Sequence, residues 1–443
     1  MTAVLAAVGM ATLDTAITNT ALPGIAADTG ADSASAIWIV TSYQLATISA
    51  LLPLAALGDI IGHRRIYVAG LLLFTITSLA CGLAWSLPAL IVARALQGFG
   101  AAALMSVNLA LIRFIYPARM LGRGAGMNSL MVAIAFTIGP SVASLILSVA
   151  SWHWLFLVNV PAGLLSLVLA LRSLPETTRG GHRFDPVAAV LCGLFFSLLV
   201  LGFGTISHGA GWSKTGLEWS ASLISGALLL RRQTGHPAPI LAMDLFRRPM
   251  FALSAATAVC SFAAQGLAFV SLPFLFQNVL GHSQTETGFL ITPWPAVVAV
   301  TALAAGRLSD KYPPGVLGGL GLATLGLGMA LLAALGPNPS VMQIIWRMAL
   351  CGAGFGFFQS PNLRAIMSSA PPGRSGGASG IVGAARMLGQ SIGAALVALC
   401  FIQSQAKGPE MALWLGGGFA ALGCVLSFSR LVPWRRPARL ERA

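Results

Sequence analysis

Asp14 is the only acid well inside an apolar run of this 443-residue chain. A charge at such a place costs about 2.5 to 3.5 kcal/mol on membrane-insertion scales, so it is usually kept for function. Asp14 precedes Pro23 by nine residues, which at 1.5 Å per residue sets it about 13 Å below the helix end, near a bilayer midplane. A carboxyl at that depth can take up a proton near pH 7 once about 4 kcal/mol of lost solvation offsets its preference for ionisation. Asp14 is therefore a candidate to bind a proton and a cationic substrate in turn. The competing reading is a structural carboxylate held by Thr18 or Arg94.

Arg94 falls about six residues, or about 9 Å, below the end of its own apolar run, close to the level of Asp14. Gln97, Ala101, Met105 and Asn108 continue down the same helical face, a stripe that suits a cavity better than lipid. An ionised Arg94 beside Asp14 would keep the acid ionised, so proton uptake requires the pair to separate in one access state. Arg347 and Arg386 are also embedded in apolar runs, with no acid nearby in sequence. They must meet backbone carbonyls, Gln343, Gln390 or an anion. Phe262, Gln265, Phe269 and Phe276 share one helical face, and Trp294 lies between Pro293 and Pro295. Such an aromatic wall suits lipophilic cations through cation–π contact, the plainer alternative being packing.

The elements that carry these residues are membrane spans. Apolar residues make up 56% of the chain and charged ones 9%, against about a quarter charged in ordinary soluble domains. At about 20 residues per span, the apolar runs give room for twelve to fourteen helices. We read fourteen, the eighth short, with Trp219 to Leu230 reaching span length only if extended back to Trp212. The first span is expected to end at Pro23, with no cleavable leader ahead of it. All Lys and Arg except Arg94, Arg347, Arg386, Lys214 and Lys407 fall in alternate loops, at the span ends beside them, or in the tail. That bias predicts both termini in the cytoplasm. It also explains the net charge of +14 without nucleic acid. The six Cys lie in apolar runs without CxxC spacing and imply neither disulfide nor metal site.

An internal repeat organises the spans. Asp59 and Asp310, Arg94 and Arg347, Arg123 and Arg374, and Gly139 and Gly393 pair at offsets of 251 to 254 residues. This predicts an all-α integral membrane protein of two six-helix bundles, 1–174 and 250–434. Two inserted spans with cytoplasmic linkers occupy 175–249, and 435–443 form a basic cytoplasmic tail. Parallel repeats of this kind hold a substrate site at their interface near the midplane. The turn Gly58, Asp59, Ile60, Ile61, Gly62, His63, Arg64, Arg65 reads as a cytoplasmic latch. Asp59 would hold Arg113, Arg119 or Arg123 in the outward-facing state and release it on inward opening; topogenic positive charge alone is the rival explanation. Asp310 marks the second copy.

These residues resemble motifs of the major facilitator superfamily, in its fourteen-helix drug:proton antiporter branch. Asp59, Gly62, Arg64 and Arg65 match the motif between spans 2 and 3, with Ala55, Ile60 and His63 departing from it. Arg94, Gln97, Gly98 and Gly100 match the span 4 motif. Gly139 and Pro140 match the core of the antiporter motif, where Ala143 and Ser144 replace two Gly. Leu13, Asp14, Asn19, Ala21, Leu22 and Pro23 resemble the span 1 signature, and Trp154, Phe156, Asn159 and Pro161 that of span 6. Phe358 to Asn362 resemble a stretch common in span 12. The resemblance implies proton-coupled efflux of lipophilic or cationic drugs by alternating access, from a monomer in the bacterial cytoplasmic membrane. Transport of an anionic metabolite, resting on Arg94, Arg347 and Arg386, is the alternative, and a non-transporting receptor or scaffold a more distant one. No Walker loop, zinc motif or nucleophile elbow is present, so neither enzyme chemistry nor a cofactor is expected.

Overall fold

The computed structural model describes residues 1–115, 121–177, 184–207, 212–234, 243–309, 311–369 and 375–432. Among them all regular structure is helical. The first half comprises α1 (Thr2–Thr29), α2 (Ser33–Ala36), α3 (Trp38–Ile61), α4 (His63–Gly82), α5 (Leu87–Ile115), α6 (Leu121–Val149), α7 (His153–Leu157) and α8 (Asn159–Ser173). Then come α9 (Pro186–Ser207) and α10 (Trp212–Gln233). The second half comprises α11 (Pro249–Phe274), α12 (Gln284–Ile291), α13 (Pro293–Leu308), α14 (Pro314–Ala333), α15 (Val341–Ser369), α16 (Ser375–Gln403) and α17 (Gly408–Ser429). Among the described residues, ten helical stretches are long and apolar enough to cross a membrane.

Helix α1 is not one of the ten. Asp14, Asn19 and its threonines lower its hydropathy, and it can carry them because it is sunk in protein, against α6, α8 and α11. The expected stop at Pro23 is not observed. The helix runs through Pro23 and ends on Gly30, whose left-handed φ of 64° lets its N–H close on Ala26 and Ala27. Helix α10 is a full helix from Trp212, yet Lys214, Glu218, Arg231 and Arg232 keep it off the list of ten. Arg232 also hydrogen-bonds Asp185 at 2.7 Å, which holds that part-buried carboxyl below its usual range and ties the start of α9 to the end of α10.

Arg64 docks on the end of α8 beside Arg172, Arg232 on the start of α9, and Arg248 on the Ser369 carbonyl at the end of α15; these helix ends are here called the basic face. At the opposite face the halves are joined by a common core: Ile17, Leu22 and Ile25 of α1 meet Leu267 and Phe274 of α11 and Val397 and Phe401 of α16. Three hydrogen bonds cross the same region. Gln277 donates to the Thr20 carbonyl at 3.3 Å, Ser144 to the Gln284 carbonyl at 3.2 Å, and the Ser141 and Thr292 hydroxyls lie 2.8 Å apart. Toward the basic face, Leu51 and Leu52 of α3 meet Ala384 and Met387 of α16, and α9 covers this seam with Ala188, Cys192 and Phe196.

Candidate functional site

Helix α1 brings Asp14 against α5 and α8, where its carboxylate is completely buried. Its Oδ2 accepts from Arg94 Nη1 at 2.6 Å, and the pair is shut off from solvent at 0% and 1% exposure. Its Oδ1 accepts from Asn159 Nδ2 at 2.7 Å and from Gln97 Nε2 at 3.2 Å. Gln97 also donates to Ser78 at 2.7 Å and accepts from Arg94, while Arg94 Nε reaches the Ile39 carbonyl at 3.4 Å. The guanidinium lies 4.2 Å from the Tyr43 ring centroid and 5.5 Å from that of Phe156. One carboxylate thus joins α1, α5 and α8, with α3 and α4 in the second layer. A charge pair survives such burial only when its remaining lone pairs and protons are also met, which these partners do. Thr18, the other partner expected for the carboxylate, bonds the Asp14 backbone carbonyl instead.

The expected stripe on α5 divides. Gln97 belongs to the Asp14 cluster, Ala101 and Met105 pack into apolar cores, and Asn108 donates to Asn128 of α6 at 2.8 Å. Asn159, Ser78 and Tyr43 were not expected at the site. Asn159 lies in the quoted span 6 signature, but a neutral amide in an apolar run gives no charge penalty to mark it.

In the second half, Gln390 donates to Gln265 at 3.2 Å. Phe269 sits edge-on to Phe136 of α6, at 5.1 Å, and to Trp294, at 5.2 Å. Trp294 is fully buried, its indole N–H without a partner. Phe262, Phe269, Phe276 and Trp294 share one apolar core, so packing accounts for much of the expected aromatic wall. Arg386 lies within electrostatic reach of Tyr43 across the interface, and its buried Nε has no hydrogen-bond partner. Arg347 departs from its expected equivalence with Arg94. It is only part-buried, folds back on the Gln343 carbonyl of its own helix at 2.9 Å, and lies over Trp346.

At the basic face, Gly62 adopts φ 103°, which allows α3 to turn directly into α4. Asp59 is 75% exposed and pairs with His63 at 3.4 Å. Arg64 donates to the Leu171 carbonyl at 2.8 Å and approaches Glu176 at 3.8 Å, so the turn is docked on the end of α8. The side chains of Arg113 and Arg123, and the whole of Arg119, Asp310 and Arg374, lie outside the described residues. Gly139 packs on α1, where an added Cβ would collide with Ala16, and the Pro140 carbonyl accepts from Ser144.

Residues 4–394 match the sequence profile of the Major Facilitator Superfamily. The chain belongs to that superfamily. Its Major Facilitator relatives include the uncharacterized transporter YebQ of Escherichia coli K12, 49% identical over 433 residues and covering 97% of this chain and 95% of YebQ. The multidrug resistance protein Stp of Mycobacterium tuberculosis H37Rv is 32% identical over 416 residues, 91% of this chain and 74% of Stp. The riboflavin transporter RibZ of Clostridioides difficile 630 is 30% identical over 401 residues, 89% of this chain and 86% of RibZ. Among solved structures, a bacterial homolog of the lysosomal transporter Spinster, in an inward-facing and unoccupied conformation, superposes with a TM-score of 0.69 at 16% identity. It covers 96% of this chain and 95% of its own. A POT family transporter in complex with 5-aminolevulinic acid gives 0.70, also at 16%, covering 97% and 95%. These two support the fold. The protein is a multi-pass membrane transporter of small molecules and not an enzyme.

Proposed function

We propose that this transporter exports lipophilic, drug-sized molecules in exchange for protons. It would do so by rocking its two halves, with fourteen spans, both termini cytoplasmic, as a monomer in a bacterial cytoplasmic membrane. The buried Asp14 carboxylate carries the proposal. Among the described residues it is the one buried acid, and every bond its carboxylate makes holds α1 to the rest of the first half. A proton on Asp14 removes the charge that retains Arg94, so α1 can shift relative to α5. Because α1 also packs on α11, that shift reaches the interface between halves. The relatives named for multidrug resistance support the substrate size and direction. In the present state Asp14 is engaged on both oxygens and closed to solvent, which supports a role in carrying the proton and not in contacting the substrate.

Proteoliposomes with an imposed pH gradient test the proposal. Wild type should move ethidium or an aromatic acid only when the gradient is present, and Asp14→Asn should lose the dependence on the gradient. Gradient-driven transport by Asp14→Asn at the wild-type rate would remove Asp14 from the coupling step.

A further inference from the structure

We propose that Arg386 is the substrate's anchor and that the substrate carries an anionic group, a carboxylate on an aromatic or lipophilic body. This rests on the exporter reading and names the substrate class for it. The charges of the membrane interior decide the matter. Asp14 and Arg94 pair at 2.6 Å, and Arg347, whose Nε is likewise buried without a partner, places its Nη1 on the Gln343 carbonyl of its own helix at an exposed position, 2.9 Å away. Arg386 remains. It stands on α16, the helix of the second half that meets α3, its Nε is buried and unpartnered, and no carboxylate is within ion-pair distance among the described residues. A guanidinium left this way in a low-dielectric interior is costly, and its fork of donors matches a carboxylate. Its polar neighbours come from both halves. Tyr43 of the first half lies within electrostatic reach of it, and the Gln265–Gln390 pair follows one turn along α16. A cationic substrate finds no free acid there and would face the Arg386 charge. For one proton entering per acid leaving, two positive charges move inward, so an inside-negative potential should drive export. For a cation the same exchange is electroneutral.

Three probes on one ring separate the readings: 2-naphthoate, 2-naphthamide and 2-naphthylmethylammonium, with equilibrium binding measured on the purified full chain. Naphthoate should bind at least tenfold more tightly than the amide, and the ammonium more weakly than the amide. Arg386→Gln should reduce naphthoate to the level of the amide and leave the amide unchanged, while Arg386→Lys keeps part of the preference and controls for folding. Equal binding of naphthoate and amide by wild type, undetectable binding included, overturns the proposal, as does a preference that survives in Arg386→Gln. Binding needs no proton gradient. Acid preference without gradient-driven transport would sink the exporter reading and keep the anchor; gradient-driven transport with no acid preference would do the reverse.

Discussion

At Asp14 three donors converge on two oxygens, and that count determines what each substitution does. Asp14→Asn strands a buried Arg94, and breaking one side of a buried pair costs about 3 to 5 kcal/mol. Its thermal midpoint in detergent should fall well below wild type. The double variant Asp14→Asn with Arg94→Gln leaves neither charge alone and should recover most of that loss without recovering proton coupling. If the double variant melts no higher than the single one, the pair is not what holds α1. Asn159→Ala removes one donor from Oδ1, which for a hydrogen bond to a charged group predicts a loss of about 1.5 to 3 kcal/mol. Asp14, Arg94 and Gln97 were legible in the sequence because charge in an apolar run is expensive and therefore conspicuous. Asn159 and Ser78 carry no such mark. Arg347 shows the limit of the same signal: its position in the repeat equals that of Arg94, but a repeat fixes depth along a helix and not the acid available beside it.

Among the elements, α6 is one whose fit can be changed by a single methyl group. It lies between α1 and α12, and Gly139 sets its distance from Ala16. Overpacking a tight contact costs about 1 to 3 kcal/mol, here at a joint that must move. Gly139→Ala should slow transport at least tenfold while the protein still folds, and adding Ala16→Gly should restore the rate. Failure of that rescue would mean that the glycine matters for something other than the α1–α6 distance. The order of the long helices was readable from hydropathy, whereas α10 was expected only as a doubtful span, kept because Arg231 and Arg232 follow it and long enough only when extended back to Trp212, where the helix does start. The end of α1 was not readable. Proline is a poor stop once tertiary packing encloses the helix, and here the left-handed Gly30 is the stop.

The halves as a whole meet through hydrogen bonds and apolar core at the face opposite the basic turns, with α9 lying over the α3–α16 seam. The repeat in the sequence led us to expect two halves, but which faces touch depends on the access state, and no single-chain periodicity encodes that. If rocking is the mechanism, the Ser141–Thr292 contact must open once per cycle, since it joins α6 to the start of α13 across the interface. With the native cysteines replaced by Ala, Ser141→Cys with Thr292→Cys should be arrested by oxidation and released by reductant. Helix α9 poses the converse question, because it touches both halves yet its hydrogen bond, Ser49 to Ser197 at 2.7 Å, goes to α3. A hairpin bound in that way travels with the first half while α16 slides beneath it. The pair Ser49→Cys and Ser197→Cys, once oxidised, should therefore transport at close to the unoxidised rate. Arrest of this second pair would show that α9 moves over α3, and that the hairpin belongs mechanically to the second half.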